Sequence, residues 1–241
     1  MRYELYYWPS IPGRGEFVRL ALEQGAADYV DAAREPGRGN GVQAMVRWLE
    51  DRKLERPPFA PPFLKAGRLV IAQTANILLY LGPRLGLVGK SEANRLWAHQ
   101  LQLTIADFVG EIHDVHHPIA GSLYYQEQKK EARRRAAHLR EERLPKFLGY
   151  FERVLVRNGA AQGYSIGRSV SYVDLSLFQL IAGLRYAFPA TMARVETNYP
   201  RLAGLHDRIA GRPRIADYLD SARRLPFNED GIFRHYPELD A

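Results

Sequence analysis

Cysteine is missing from this chain altogether. Its absence removes disulfide staples, cysteine-ligated zinc and any thiol nucleophile supplied by the protein itself. Long apolar runs are missing too. The most apolar window, residues 69–81, is interrupted by Gln73, Thr74 and Asn76, and falls short of the roughly eighteen apolar residues of a membrane span. The start, Met1-Arg2-Tyr3-Glu4, sets a charge on each side of a tyrosine with no apolar stretch behind it, so it predicts no secretory signal. A cytoplasmic location is the default expectation. No fixed-period repeat and no low-complexity tract interrupts the chain.

What is present suits two folded units. At 241 residues the chain is long for one domain, and 46% hydrophobic with 25% charged residues argues against disorder. The net charge of +7 raises nucleic-acid binding as an option. The densest basic run, residues 129–135 and on to Arg140 and Arg143, is broken by Glu131, Glu141 and Glu142 and lacks interleaved aromatics for base stacking. It reads as a solvated helix face.

Residues 3–8 are aromatic-rich and predict a strand; a helical pattern runs from Gly13 to Gly25, with Phe17, Val18, Leu20, Ala21 and Leu22 on one broad face. A weak strand is expected at 28–33 and a short amphipathic helix at 42–53, followed by the proline cluster 57–62, which no helix interior accepts. A hairpin over 63–71 and a helix over 73–85 complete the order β-α-β-α-β-β-α. That is a thioredoxin-like α/β unit, assigned to residues 1–86, with helices on both faces of a mixed sheet. From residue 91 to 241 the pattern is all helical, with stretches at 92–116, 126–157, 172–187 and a pair within 199–222. Ser171-Tyr172-Val173-Asp174 opens one of them as a capping box.

Several short motifs fall in order. Leu5-Tyr6-Tyr7-Trp8-Pro9 leads to Gly13-Arg14-Gly15-Glu16-Phe17-Val18-Arg19, then Pro61-Pro62-Phe63-Leu64, then Gln73-Thr74-Ala75-Asn76-Ile77-Leu78. Ser171-Tyr172-Val173-Asp174-Leu175 and Tyr199-Pro200-Arg201-Leu202 follow in the second unit. The set resembles the cytosolic glutathione transferases of the tyrosine-type branch, with the Mu, Pi and Sigma classes, over nearly the whole chain. The resemblance implies a thioredoxin-like N-terminal domain, an all-α C-terminal domain, glutathione as co-substrate, a small apolar electrophile and a homodimer.

The chemistry behind that expectation is modest. A thiol of pKa near 8.5 is about a few per cent thiolate at neutral pH, and the thiolate is the nucleophile. Lowering the pKa by about two units takes roughly 2.7 kcal/mol. One hydroxyl hydrogen bond to a charged sulfur supplies about 1.5–3 kcal/mol, and a helix N-terminus adds a few tenths to one. Tyr7, at the end of the first strand and facing the first helix, suffices as the catalytic residue. Tyr6 points to the opposite face by strand alternation. Ser10 is the alternative, because other classes use a serine and the loop from Tyr7 to Arg14 looks one residue long.

By resemblance, Gln73 and Thr74 hold the γ-glutamyl carboxylate at a helix N-terminus, where free N–H groups receive an anion. Trp48 and Arg52, with Lys53 as the lesser substitute, match the residues holding the glycyl end. Arg14 lies beside the thiol. Pro62 matches a cis-proline, and the residue before it normally pairs its N–H and C=O with the cysteinyl part. Here that residue is Pro61, which has no N–H. Asp107 matches an acid that reaches the γ-glutamyl ammonium from the partner subunit. Trp8, His113, His117 and Tyr124, with Tyr125, are expected to line the electrophile cleft. His113 and His117 share a helix face as metal ligands do, but Pro118 ends that helix and no third ligand spacing is evident, so no metal is expected. A non-catalytic ligand-binding protein on the same fold stays open as a second reading.

Overall fold

A computed structural model describes residues 1–37, 39–158 and 163–241. Among these residues, four short strands make one mixed sheet: β1 (Tyr3–Tyr6), β2 (Tyr29–Asp31), β3 (Phe63–Ala66) and β4 (Leu69–Ala72), in the order β2-β1-β3-β4. β1 runs parallel to β2 and antiparallel to β3, and β3 and β4 form the expected hairpin. Strand alternation sorts the side chains between two cores. Tyr3, Leu5, Leu64 and Ala66 meet Val18, Leu22, Ile77 and Leu81 from α1 (Gly15–Gln24) and α3 (Thr74–Arg84). Tyr6 and Phe63 meet Ala44 and Met45 from α2 (Gly41–Glu50) on the other face. Helices therefore cover both sides of the sheet, as the thioredoxin-like order requires.

Seven α-helices follow among the described residues: α4 (Glu92–His116), α5 (Lys129–His138), α6 (Leu144–Arg157), α7 (Tyr172–Ala187), α8 (Pro189–Val195), α9 (Pro200–Ala210) and α10 (Pro213–Leu219). α7 is their axis. Ser171 and Asp174 cap it reciprocally, and the Asp174 carboxylate also accepts the Ser165 amide at 2.7 Å. Burial pushes the Asp174 carboxyl up in pKa, against the pull of the bonds from Ser171 and Ser165. Leu175, Leu180 and Leu184 of α7 are fully buried, each contributing about 1.5–3 kcal/mol. Phe17, Leu20 and Ala21 of α1 belong to this helical core, so the first helix faces both the sheet and the bundle. No helix among the described residues is long and apolar enough to cross a membrane.

Four expectations need correction. The first strand ends at Tyr6, leaving Tyr7 and Trp8 in the turn beyond it. α1 starts at Gly15, because Gly13 sits at φ +42°. The stretch expected as one helix over 126–157 is α5, a π-helical turn (Leu139–Arg143) and α6. Pro145 donates no N–H, which frees a carbonyl one turn back, and the backbone takes up a wider turn there. α8 is an additional helix, opened by Pro189 at its first position.

Candidate functional site

Tyr7 follows β1, and its side chain, 4% exposed, lies across the turn that opens α1. The phenol oxygen accepts the Arg14 backbone N–H at 2.9 Å. Arg14 is the N-cap of α1, so the hydroxyl sits at the positive end of that helix. Two glycines make room for the ring. A Cβ at Gly13 would lie 2.2 Å from the phenol oxygen, and one at Gly15 would lie 2.6 Å from the ring carbons. Burial raises the Tyr7 pKa, while the Arg14 amide and the charges of Arg14 and Arg19 oppose the rise. The phenol therefore keeps its proton at neutral pH. Having accepted from Arg14, it has that proton to donate.

Below this turn lies a set of buried charges. Glu16 and Arg19, both 0% exposed, pair across one turn of α1 at 3.3 Å. Arg19 also bonds Asp31 of β2 at 2.6 Å and the Pro12 carbonyl at 3.2 Å. Its guanidinium carbon is 5.8 Å from the Tyr7 ring centre. Arg19 interrupting the apolar run Phe17-Val18-Leu20-Ala21-Leu22, with Glu16 just before it, was the available signal for a role that sequence reading did not assign.

A cleft of about 370 Å³ opens beside Arg14, between the N-termini of α1 and α3 and the side of α4. Gln73, Thr74 and Asn76 line it from α3, and His99, Gln102 and Leu103 from α4. The Thr74 hydroxyl donates to the Arg14 carbonyl at 3.4 Å, tying the two helix starts together. Gln73 holds a left-handed backbone, φ +68°, a conformation that costs a non-glycine residue energy and clusters at functional sites. Gln102 is 1% exposed, yet its side-chain oxygen has no partner among the described residues. Neither His99 nor Gln102 was anticipated, although Gln102 is a polar interruption in the buried face formed by Ala98, Leu101 and Ile105. Asp107 is exposed on α4.

The remaining expected residues are more scattered. The Pro61–Pro62 bond is cis, and Pro62 is buried directly before β3. Trp48 packs against the core of Tyr6, Met45 and Phe63, with the Lys65 ammonium 5.2 Å from its ring. Arg52 and Lys53 are exposed just past α2, and the Lys53 amide bonds the Asp51 carboxylate at 2.9 Å. Tyr6 lies on the face away from α1, with its hydroxyl donating to Glu4. Ser10 is exposed, and its carbonyl accepts Asn228 of the C-terminal segment at 2.8 Å.

His113, His116 and His117 gather at the end of α4, with ring centres 4.9–5.2 Å apart. Burial, then the charge of Arg234, pushes His116 down to about 3, and its Nε2–H donates to the Ile232 carbonyl at 2.8 Å. Burial also lowers His113 and His117. No group of three or more metal-ligating side chains is arranged to hold an ion among the described residues. The C-terminal segment packs firmly: Phe233 is buried against Gly183, and Asp240 accepts the amides of Ala190 and Thr191 at 2.6 and 3.0 Å. Trp8, 41% exposed, and Tyr124, 77% exposed, stand open to solvent.

Comparison with known proteins agrees with this layout. Residues 113–222 match the family model described as glutathione S-transferase, C-terminal domain. The chain is similar to the glutathione S-transferase of Plasmodium falciparum (isolate 3D7), 26% identical over 91% of this chain and 95% of that one. It is similar to glutathione S-transferase P 1 of Xenopus laevis, 27% identical over 92% and 93% respectively. In fold it resembles the Pi-class glutathione S-transferase of Onchocerca volvulus, with TM-score 0.72 and 22% identity over 96% and 99% of the two chains.

Proposed function

We propose that this chain, similar over most of its length to glutathione S-transferases, acts as a cytosolic glutathione transferase that conjugates glutathione to a small apolar electrophile, with Tyr7 as the group that stabilises the thiolate. The supporting observation is the phenol oxygen, held by the Arg14 amide at the N-terminus of α1 with its proton free to donate. A charge-assisted bond from that proton to sulfur supplies about 1.5–3 kcal/mol in favour of the anion. Ser10 is the weaker candidate: it is exposed and lies five residues before α1 begins.

In this reading residues 1–86 bind glutathione and residues 91–241 line the electrophile site. Gln73 and Thr74 receive the γ-glutamyl carboxylate, with Arg14 beside the thiol and the Pro61 carbonyl as the remaining backbone contact to the cysteinyl part. Trp48, Arg52 and Lys53 serve the glycyl end. Trp8, His113, His117 and Tyr124 border the electrophile, the histidines as neutral rings. A homodimer is part of the proposal. Phe59, 92% exposed, and Leu96 and Leu103 on α4, 63% and 47% exposed, favour a covered face, and Asp107 on the same helix is free to reach a partner's ligand. Sedimentation at micromolar concentration tests it, and a monomer there removes the role of Asp107.

Substituting Tyr7→Phe tests the mechanism. Conjugation with a model aryl halide near neutral pH is expected to fall about ten- to hundredfold, the kinetic equivalent of the lost bond, with the circular dichroism spectrum unchanged. Full activity in that variant transfers the role elsewhere, Ser10 first. Pro61 favours a second reading, a binding protein without catalysis, because it removes one backbone donor. Absence of conjugation by the unmodified protein across several electrophiles, with glutathione still bound, selects that reading. The basic run gives little support to nucleic-acid binding: Arg135 and Arg143 pair with Glu111, and Lys129 lies 3.9 Å from Glu238.

A further inference from the structure

Charged residues with no access to water are costly, and an apolar pair of similar volume often stabilises as well or better. Glu16 and Arg19 therefore invite a reason beyond stability. Glu16 accepts from three side chains: Arg19 of its own helix, the Tyr218 hydroxyl of α10 at 2.7 Å, and the Arg224 guanidinium. Arg224 is itself fixed on Gln179 of α7 at 3.0 Å. The same stretch of chain meets the other end of the network. Arg34 donates to the carbonyls of Ala222 and Arg223 at 3.2 and 2.6 Å and lies 3.7 Å from the Asp31 carboxylate that holds Arg19. Residues 218–224 thus hold the Glu16 carboxylate directly and reach Asp31 only through Arg34.

Arg19 has one polar contact to the turn above it, the bond from its Nη1 to the Pro12 carbonyl. That carbonyl also accepts the Glu16 amide at 2.9 Å. Both bonds pin the turn that presents the Arg14 N–H to the Tyr7 oxygen. The contacts form one continuous path: Tyr218 and Arg224, Glu16, Arg19, Pro12, the Arg14 amide, Tyr7.

We propose that Tyr218 and Arg224 are positioning residues for Tyr7, acting through Glu16 and Arg19 to hold the amide that orients the phenol toward the bound thiol. The helical part of the chain then sets the thiolate population in a site built from the sheet part. The inference rests on Tyr7 being the thiol's partner, so its test carries a separate check of that reading.

The experiment is an ultraviolet difference titration of the glutathione thiolate bound to the full-length protein, paired with conjugation rates from pH 6 to 9.5. Tyr218→Phe removes one oxygen and keeps the ring. It is expected to raise the apparent pKa of the bound thiol by about 0.5–1 unit, the signature of a less stabilised anion. Conjugation then drops about three- to tenfold at pH 6 and recovers above pH 9, with KM for glutathione within about twofold of the unmodified value. Arg224→Lys is expected to shift the titration in the same direction. Ile215→Val trims a fully buried residue on α10 whose aliphatic side chain neither donates nor accepts a hydrogen bond, and it is expected to lower stability without moving the thiol titration. An unmoved titration in Tyr218→Phe, alongside a raised one in Tyr7→Phe, overturns the positioning role alone. An equal shift in Ile215→Val overturns it as well, by making the effect one of general loosening. A titration unmoved by Tyr7→Phe overturns both this inference and the role given to Tyr7.

Discussion

Two buried polar clusters join distant parts of the chain, and they solve the same problem in opposite ways. Around α1, Glu16, Arg19, Asp31 and Arg224 are positioned as paired ions. At the end of α4, His113, His116 and His117 are kept uncharged, with a neutral Nε2–H of His116 holding the Ile232 carbonyl. Removing an ionisable group from water requires either a counter-charge or the loss of its charge. The first cluster takes the former route and remains polar beside the turn that holds Tyr7. The second takes the latter and leaves a region that is less polar where the electrophile is proposed to bind.

The comparison breaks most sharply at Arg19. Arg19→Met leaves the Glu16 and Asp31 carboxylates buried without their shared cation, and a loss of about 3–5 kcal/mol in unfolding free energy is expected from urea melts. A loss below about 1 kcal/mol would mean that the two acids find other partners at little cost, Arg224 and Arg34 being nearest.

The histidine cluster is expected to break by acid instead. In the folded chain burial, then Arg234, His113 and His117, pushes His116 down from the ordinary 6.5 to about 3, against the bond to the Ile232 carbonyl. Below pH 6.5 the unfolded state therefore binds more protons, so stability is full above that pH and falls as pH drops toward 3. Between pH 7.5 and pH 5 this group removes up to about 2 kcal/mol, and His116→Gln flattens that part of the profile in denaturant melts. A profile of equal slope in the variant would assign the acid sensitivity to other groups.

A third region, outside both clusters, supplies the baseline. Arg52 is solvent-exposed past α2, so Arg52→Ala is expected to raise KM for glutathione by less than about fivefold, within the range of an exposed ion pair, and to leave kcat unchanged. A larger effect would show the glycyl end to be more enclosed than α2 and its exposed end suggest.

The order of strands and helices was legible because it depends on local periodicity. The α1 stripe, the β3–β4 hairpin and the Ser171–Asp174 cap all announce themselves within a few residues. The place of Tyr7, between the first strand and the motif that opens α1, was legible in the order of motifs, whereas the closeness of Gly13 and Gly15 to its ring was not. The partnership of Glu16 with Tyr218 was not, since 202 residues separate them and no periodicity spans that interval. Pro145 was visible in the chain, but the basic and apolar pattern continues across it, which hid the wider turn before α6. Trp48 illustrates a different obscurity. An indole one helical turn from an arginine fits a carboxylate site and a core equally well, and here its ring packs on Tyr6 and Lys65.

The seat of the Tyr7 ring is shaped by hydrogen atoms. At positions 13 and 15 even the smallest side chain, a single methyl, would occupy space the phenol already fills. Stiffening this bend by replacing either glycine, a common route to a sturdier protein, would swing the hydroxyl off its amide. The orientation of the Tyr7 ring is thus written in two positions by what they leave out.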